Sequence, residues 1–247
     1  ARTEPVPKIA GQKLKNQKIM ARYLSSRTPY DKILVVNEMG TGKSCLTTGI
    51  IEQIKKESIE FNVFQLQMKY IVTGYNQNVL IVDQQRAHER VLYEHYLRFT
   101  TETHSVPSQK ILFPEQLELS AGDFSLIKTL LPELKYLGFE IDVFGKNNIV
   151  VNGFPSDLQD YDISRMIEEI LESYKLNLLE HKLSKHENLC RSLAKNACIK
   201  YGKKLDENEM KVLLQSLFDC REPLYTAGGK VTMMEVNYSE IEKFFKR

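Results

Sequence analysis

No stretch of this sequence is long and apolar enough to cross a membrane, although 42% of its residues are hydrophobic. No signal peptide opens it either. A helical membrane protein is thereby excluded, and nothing suggests secretion. Cysteine is scarce. Cys45, Cys190, Cys198 and Cys220 make no CxxC pair, so reduced thiols in a cytosolic or nuclear setting are expected, not a disulfide framework or a zinc cluster. The chain opens on Ala1 and not on methionine, so a fragment of a longer protein is expected. Net charge is small too, at +2, but it is unevenly placed. Residues 1–58 carry 11 Lys/Arg against 5 Asp/Glu, and the remainder carries an excess of acid. A length of 247 residues allows one large domain or two small ones, and the charge split favours two parts.

The first part has a basic helical stretch at 14–24 after a Pro- and Gly-containing arm. A β-branched run at 33–36 then leads into Asn37-Glu38-Met39-Gly40-Thr41-Gly42-Lys43-Ser44, and a helical pattern follows to about residue 56. Strand, glycine loop and helix are the setting a phosphate cradle requires. Gly40 and Gly42 let the backbone approach phosphates, and the helix start offers free N–H groups. Lys43 would pair with the outer phosphates and Ser44 would hold Mg²⁺. Asn37 departs from the pattern, which has Gly there. Segment 12–50, with 17–24, Thr28-Pro29-Tyr30 and the Gly-Thr-Gly-Lys-Ser loop, resembles the opening motifs of superfamily 2 helicases of the large-DNA-virus type. That resemblance implies ATP with Mg²⁺. Gln84 follows Asp83 where a second acid would stand, and only 40 residues separate Asp83 from Lys43, so weak binding and negligible hydrolysis are expected.

The stretch 79–94 organises the rest. Val79-Leu80-Ile81-Val82 reads as a buried strand, and Asp83 ends it. A helix follows, with Ala87, Val91, Leu92 and Phe99 expected on one side. Asp83 admits two readings: a helix N-cap alone, or one member of a polar set with His88, Glu89 and Glu94. Before it, 64–72 reads as one strand and 76–78 as a turn. Further on, Gln109-Lys110-Ile111-Leu112-Phe113-Pro114 is an extended segment with two apolar anchors and a stiffening proline. Helical stripes follow at Phe124, Ile127, Leu130, Leu131, Leu134 and Leu137, and at Ile163, Met166, Ile167, Ile170, Leu171 and Tyr174. Strands are expected at 139–143, 149–151 and 231–236. Helices are expected at 189–202, after a cap at Asp206, and after a Ser239/Glu242 capping box.

Asp83-Gln84-Gln85-Arg86-Ala87-His88-Glu89-Arg90-Val91-Leu92-Tyr93-Glu94, with the strand before it and the segments after it, resembles the C-terminal dimerisation/endonuclease domain of the mismatch repair protein MutL. The resemblance implies an α/β (α+β) fold of two subdomains at 59–247: a dimerisation subdomain (59–115 with 187–247) and a regulatory one (116–186). The segment 1–58 then precedes it as a truncated P-loop piece. A natural fusion, an artefactual gene join and an engineered join all fit. The resemblance also implies a homodimer, docking on the replicative sliding clamp through Gln109, Ile111, Leu112 and Pro114, the partners MutS and DNA, no membrane, and a cytoplasmic, nucleoid-associated location.

The family's zinc/manganese nuclease site is implied to be degenerate. Of its metal ligands only Glu89 stands, beside Asp83 and Glu94 as vestiges. Gln85, Lys195, Thr226 and Gly228 occupy the other ligand positions. A cation, an amide and a glycine make a poor donor set, so no zinc or manganese and no nuclease activity are expected. Relocation of ligands to His88 or Cys198 is one alternative, with weak metal-dependent nicking through Asp83, Glu89 and Glu94. A helicase-type ATPase using Lys43 with Asp83 is another.

Overall fold

The computed structural model describes residues 62–246 apart from 76–77, 102–104, 159–161 and 181–182. The phosphate-loop residues Gly40, Gly42, Lys43 and Ser44, and Cys45, lie outside the described residues. The fold is mixed α/β, with two antiparallel sheets and six helices among the described residues.

The first sheet has the order β1-β2-β3-β7, from Val63–Leu66, Tyr70–Tyr75, Asn78–Asp83 and Met233–Asn237. Alternation fixes its two faces. Ile71, Tyr75, Leu80, Val82 and Met233 point inward, onto Leu213, Leu214, Leu217 and Phe218 of α5 (Glu207–Asp219). Asp206 caps α5 in a reciprocal capping box with Glu209, as the sequence pattern predicts. The opposite face carries the cross-strand row Phe64, Val72, Ile81 and Met234. Phe64 and Met234 in that row are exposed.

The second sheet has the order β4-β6-β5, from Ser108–Glu118, Asn148–Pro155 and Glu140–Phe144. It shares the larger core with α2 (Ala121–Tyr136), α3 (Ile163–Glu180) and α4 (Lys185–Ala197). The expected boundary between 115 and 116 falls inside β4, which pairs with β6 on both sides of it. Leu189, Cys190, Leu193, Ala194 and Ala197 of α4 are buried in this larger core.

Helix α1 (Gln84–Thr101) joins the two cores. Its apolar residues do not lie on one side, as periodicity suggests. Ala87 and Val91 meet the smaller core, whereas Leu92, Tyr96 and Phe99 meet the larger one.

Four element expectations are corrected. The stretch 64–72 is a hairpin and not one strand: Gln67 and Met68 both take left-handed φ, at 51° and 50°, and the Lys69 amide donates to the Leu66 carbonyl at 3.1 Å. The helix expected at 189–202 begins at Lys185, behind a Ser184–Glu187 capping box, and ends at Ala197. Strand β7 starts at Met233 and not at Val231, which forms only an isolated bridge to Tyr225. Asn237, not Ser239, caps α6 (Tyr238–Phe245), accepting the Ser239 amide at 2.8 Å. Gly74 lies under this helix start, where an added Cβ would stand 3.3 Å from the Tyr238 hydroxyl.

Candidate functional site

Asp83 ends β3, and α1 begins directly after it. Its Oδ1 accepts the Arg86 amide at 3.1 Å, the bond of a helix cap. Its Oδ2 accepts the Tyr201 hydroxyl at 2.7 Å and lies 3.4 Å from Arg86 Nε. That contact helps push the Tyr201 hydroxyl up to about 12, after the larger effect of burial. Both carboxylate oxygens of Asp83 are therefore committed to the fold.

Glu94 is still more committed. It is buried and paired with Arg90 at 2.8 Å. It also accepts the backbone amides of Arg221, at 2.8 Å to Oε2, and of Glu222, at 3.2 Å to Oε1. Two carboxylates of the expected polar set thus hold backbone in place.

His88 stands apart from both. Its Nδ1 accepts the Ile199 amide at 2.9 Å, which fixes the ring as the neutral Nε2–H form. Burial, with Lys203 adding to it, pulls its pKa down to about 4. Its ring lines a cleft with Tyr96, Asp157 and Tyr201.

Glu89 lies within electrostatic reach of Lys230 in the 226–230 turn. Burial pushes its pKa up, and that effect outweighs the opposing pull of Lys230, Arg191, Lys195 and Arg86. The Thr226 hydroxyl accepts the Gly228 and Lys230 amides, each at 3.2 Å, and closes the turn. A Cβ on Gly228 would stand 2.9 Å from Nη2 of Arg191, so that guanidinium fills the space beside the glycine. Cys198 is buried, its Sγ donates to the Lys195 carbonyl at 3.2 Å, and burial raises the thiol to about 11.

The family's divalent metal does not fit these residues. Among the described residues no three His, Cys, Asp or Glu side chains gather as a metal site. Thr226 is used in its turn, Gly228 has no donor, and Lys195 and Arg191 bring positive charge to the place where a dication would need neutralising. The Cys198 thiol is already engaged, donating to the Lys195 carbonyl. Among the described residues His88 and Cys198 belong to no group of three such donors.

Segment 109–114 sits in β4 at a break in the ladder. Lys110 pairs with Gly153 and Glu115 with Val151, so 111–114 face the single residue Asn152. The bulge throws Leu112 and Phe113 outward, 92% and 84% exposed, while Ile111 packs on the larger core. Periodicity could not show this bulge, although Pro114 signals it, since proline cannot donate to the ladder. Sequence reasoning also missed Arg90, Tyr201 and Arg191. The i,i+4 spacing of Arg90 and Glu94 was the one signal available for them.

Residues 63–205 match the family described as the MutL C terminal dimerisation domain. A DNA mismatch repair protein MutL of Parabacteroides distasonis is 34% identical over 187 residues, covering 74% of this chain and 30% of that protein. The MutL of Chloroherpeton thalassium is 34% identical over 185 residues, covering 75% and 29%. The MutL of Flavobacterium psychrophilum is 28% identical over 214 residues, covering 87% and 35%. That last span is longer than 59–247 can hold, so the likeness reaches back into the segment read as a phosphate loop. The chain spans about a third of the length of these curated relatives. With more than half of its residues matched by the family model, the chain belongs to the MutL C-terminal dimerisation domain family.

Proposed function

We propose that this chain is the homodimerisation and clamp-docking part of a DNA mismatch repair protein, with a metal site that has lost its ligands. The observation that carries this reading is the apolar outer face of the first sheet. Phe64, Leu66 and Met234 are exposed on it, and α6, which starts over this face, leaves Phe244 and Phe245 88% and 81% exposed. Exposed aromatic and aliphatic residues on one sheet and its adjoining helix form the kind of contiguous patch that marks an interface. A twofold pairing would place each copy's patch on the other's, burying at least about 1,200 Å² in total if the association is stable.

The relatives are named DNA mismatch repair proteins, and the partners that follow are DNA, the mismatch-recognition protein MutS and the replicative sliding clamp, at the nucleoid. Leu112 and Phe113 on their bulge, with Gln109 and Pro114, supply the apolar anchors for the clamp. Residues 37–44 carry a separate proposal, a weak site for ATP with Mg²⁺ through Lys43 and Ser44.

Light scattering tests the central reading. The wild type is expected to be a dimer at micromolar concentration and to stay so in high salt, because apolar burial drives the association. Phe244→Asp should shift it to monomer. A monomeric wild type, or a variant that dimerises as well as wild type, would overturn the proposal.

A further inference from the structure

The cleft beside His88 lies where the two cores meet. Ile199 on its lining packs against the smaller core, and Leu158 is buried in the larger one. The cavity holds about 440 Å³, within the range of small-molecule sites, and such sites favour the junction of two packed units. With Leu92 and Ala197, these residues give it an apolar floor. Its polar groups are few and partly unused. The Ile199 amide occupies His88 Nδ1, so Nε2 carries the proton, and that N–H has no partner among the described residues. Asp157 accepts the Tyr96 hydroxyl on Oδ2 at 2.9 Å, and its Oδ1 accepts from no described residue. Lys203 is exposed at the mouth of the cleft. Lys200, also on the lining, donates from Nζ to the Lys195 carbonyl at 3.2 Å. Neither lysine forms an ion pair with Asp157. Lys203 and Asp157 both act electrostatically on His88, in opposite senses. Opposite charges therefore face one cleft without pairing across it.

We propose that this cleft binds a free apolar α-amino acid, its carboxylate on His88 Nε2–H and Lys203, its ammonium on Asp157, and its side chain on the floor of Leu92, Leu158 and Ile199. The site is independent of the dimer and clamp readings. A zwitterion satisfies both unpaired charges at once, and each contact is then a charge-assisted hydrogen bond. A plain anion would bring its charge against Asp157, and a nucleotide would bring more. A purely apolar molecule would leave the imidazole N–H buried without an acceptor. The ligand would also bridge the two cores. Leu158 belongs to the unit of the second sheet, whereas 201–203 is held on the first hairpin, where the Gly202 amide donates to the Met68 carbonyl at 3.0 Å. Binding to the folded state alone then raises the melting temperature.

The test is calorimetric titration of the full chain with L-phenylalanine and L-leucine, followed by thermal melting with and without each. The comparison ligand is 3-phenylpropanoate, which has the carboxylate and the apolar body of phenylalanine but no ammonium. At least one amino acid should bind and raise the melting temperature, and 3-phenylpropanoate should bind about tenfold more weakly than phenylalanine or worse. Asp157→Asn keeps an acceptor for the Tyr96 hydroxyl and should abolish that preference. Lys203→Met keeps the stem of an exposed side chain and should weaken both ligands. Melting of the unliganded variants separates a lost contact from a lost fold. If either variant fails to fold, the comparison of the two ligands on the wild type still decides. The proposal is overturned if the wild type binds neither amino acid, if 3-phenylpropanoate binds as tightly as phenylalanine, or if a folded variant binds the amino acid as the wild type does.

Discussion

Glu94 is a carboxylate whose neighbours leave it nothing to do but hold the fold. It lies buried between Arg90 and the amides of Arg221 and Glu222. Removing one partner of a buried ion pair strands the other, at a cost of about 3–5 kcal/mol. Glu94→Ala should therefore lower the urea midpoint by that equivalent, measured at fixed protein concentration because dimerisation contributes to apparent stability. An unchanged midpoint would show that Glu222, whose Oε2 lies 3.4 Å from Arg90 Nη2, holds Arg90 well enough alone. His88 makes a second prediction through pH. Its folded pKa, about 4, lies below the ordinary 6.5. The folded state therefore binds fewer protons between those values, and the His88 contribution, present above pH 6.5, is lost as pH falls toward 4. Asn at this position can still accept the Ile199 amide and cannot titrate. His88→Asn should accordingly flatten the fall in melting temperature between those pH values. A variant with the wild-type slope would assign the acid sensitivity elsewhere.

At the scale of elements, the first hairpin shows why part of the fold was not legible in the sequence. Strand β3, the stripes of α2 and α3 and the cap of α5 were readable, because apolar spacing and an Asp-x-x-Glu pair carry them. The β1–β2 turn was not. It uses Gln67-Met68, both at positive φ, where such a turn normally carries Asn-Gly. Nothing local marks it, and the pairing of Phe64 with Val72 across the sheet imposes it. The backbone conformation carries strain, since a left-handed residue with a Cβ costs roughly 1–2 kcal/mol. The double change Gln67→Asn, Met68→Gly should relieve part of it and stabilise the protein by about 0.5–1 kcal/mol, after the entropy that glycine adds to the unfolded chain. A melting temperature that stays the same or falls would remove the strain account. The candidate site was half legible in the same sense. The expected ligand positions Gln85, Lys195, Thr226 and Gly228 came from the family resemblance alone. Arg191 could not be read there, because it lies outside the motif and reaches Gly228 only through the packing of α4 against the 226–230 turn.

At the scale of the whole molecule, two surfaces lie on different sheets and should be separable by mutation. The apolar patch belongs to the first sheet and α6. The bulge with Leu112 and Phe113 belongs to the second sheet, across the larger core. Helix α1 runs between the two cores, so each surface rests on its own packed unit. Substitutions that share no partner act independently to within a few tenths of a kcal/mol. Leu112 and Phe113 are so exposed that their truncation removes little buried area, and the double change Leu112→Ala, Phe113→Ala should leave the melting temperature within about 0.5 kcal/mol equivalent of wild type. On an immobilised sliding clamp this variant should lose binding while light scattering still finds a dimer. Phe244→Asp should do the reverse, giving a monomer that keeps single-site clamp binding. If the bulge variant binds the clamp as wild type does, the anchors lie elsewhere and Gln109–Pro114 is only a bulged strand. If each variant loses both properties, the two surfaces are one, and the separation that the two sheets suggest is wrong.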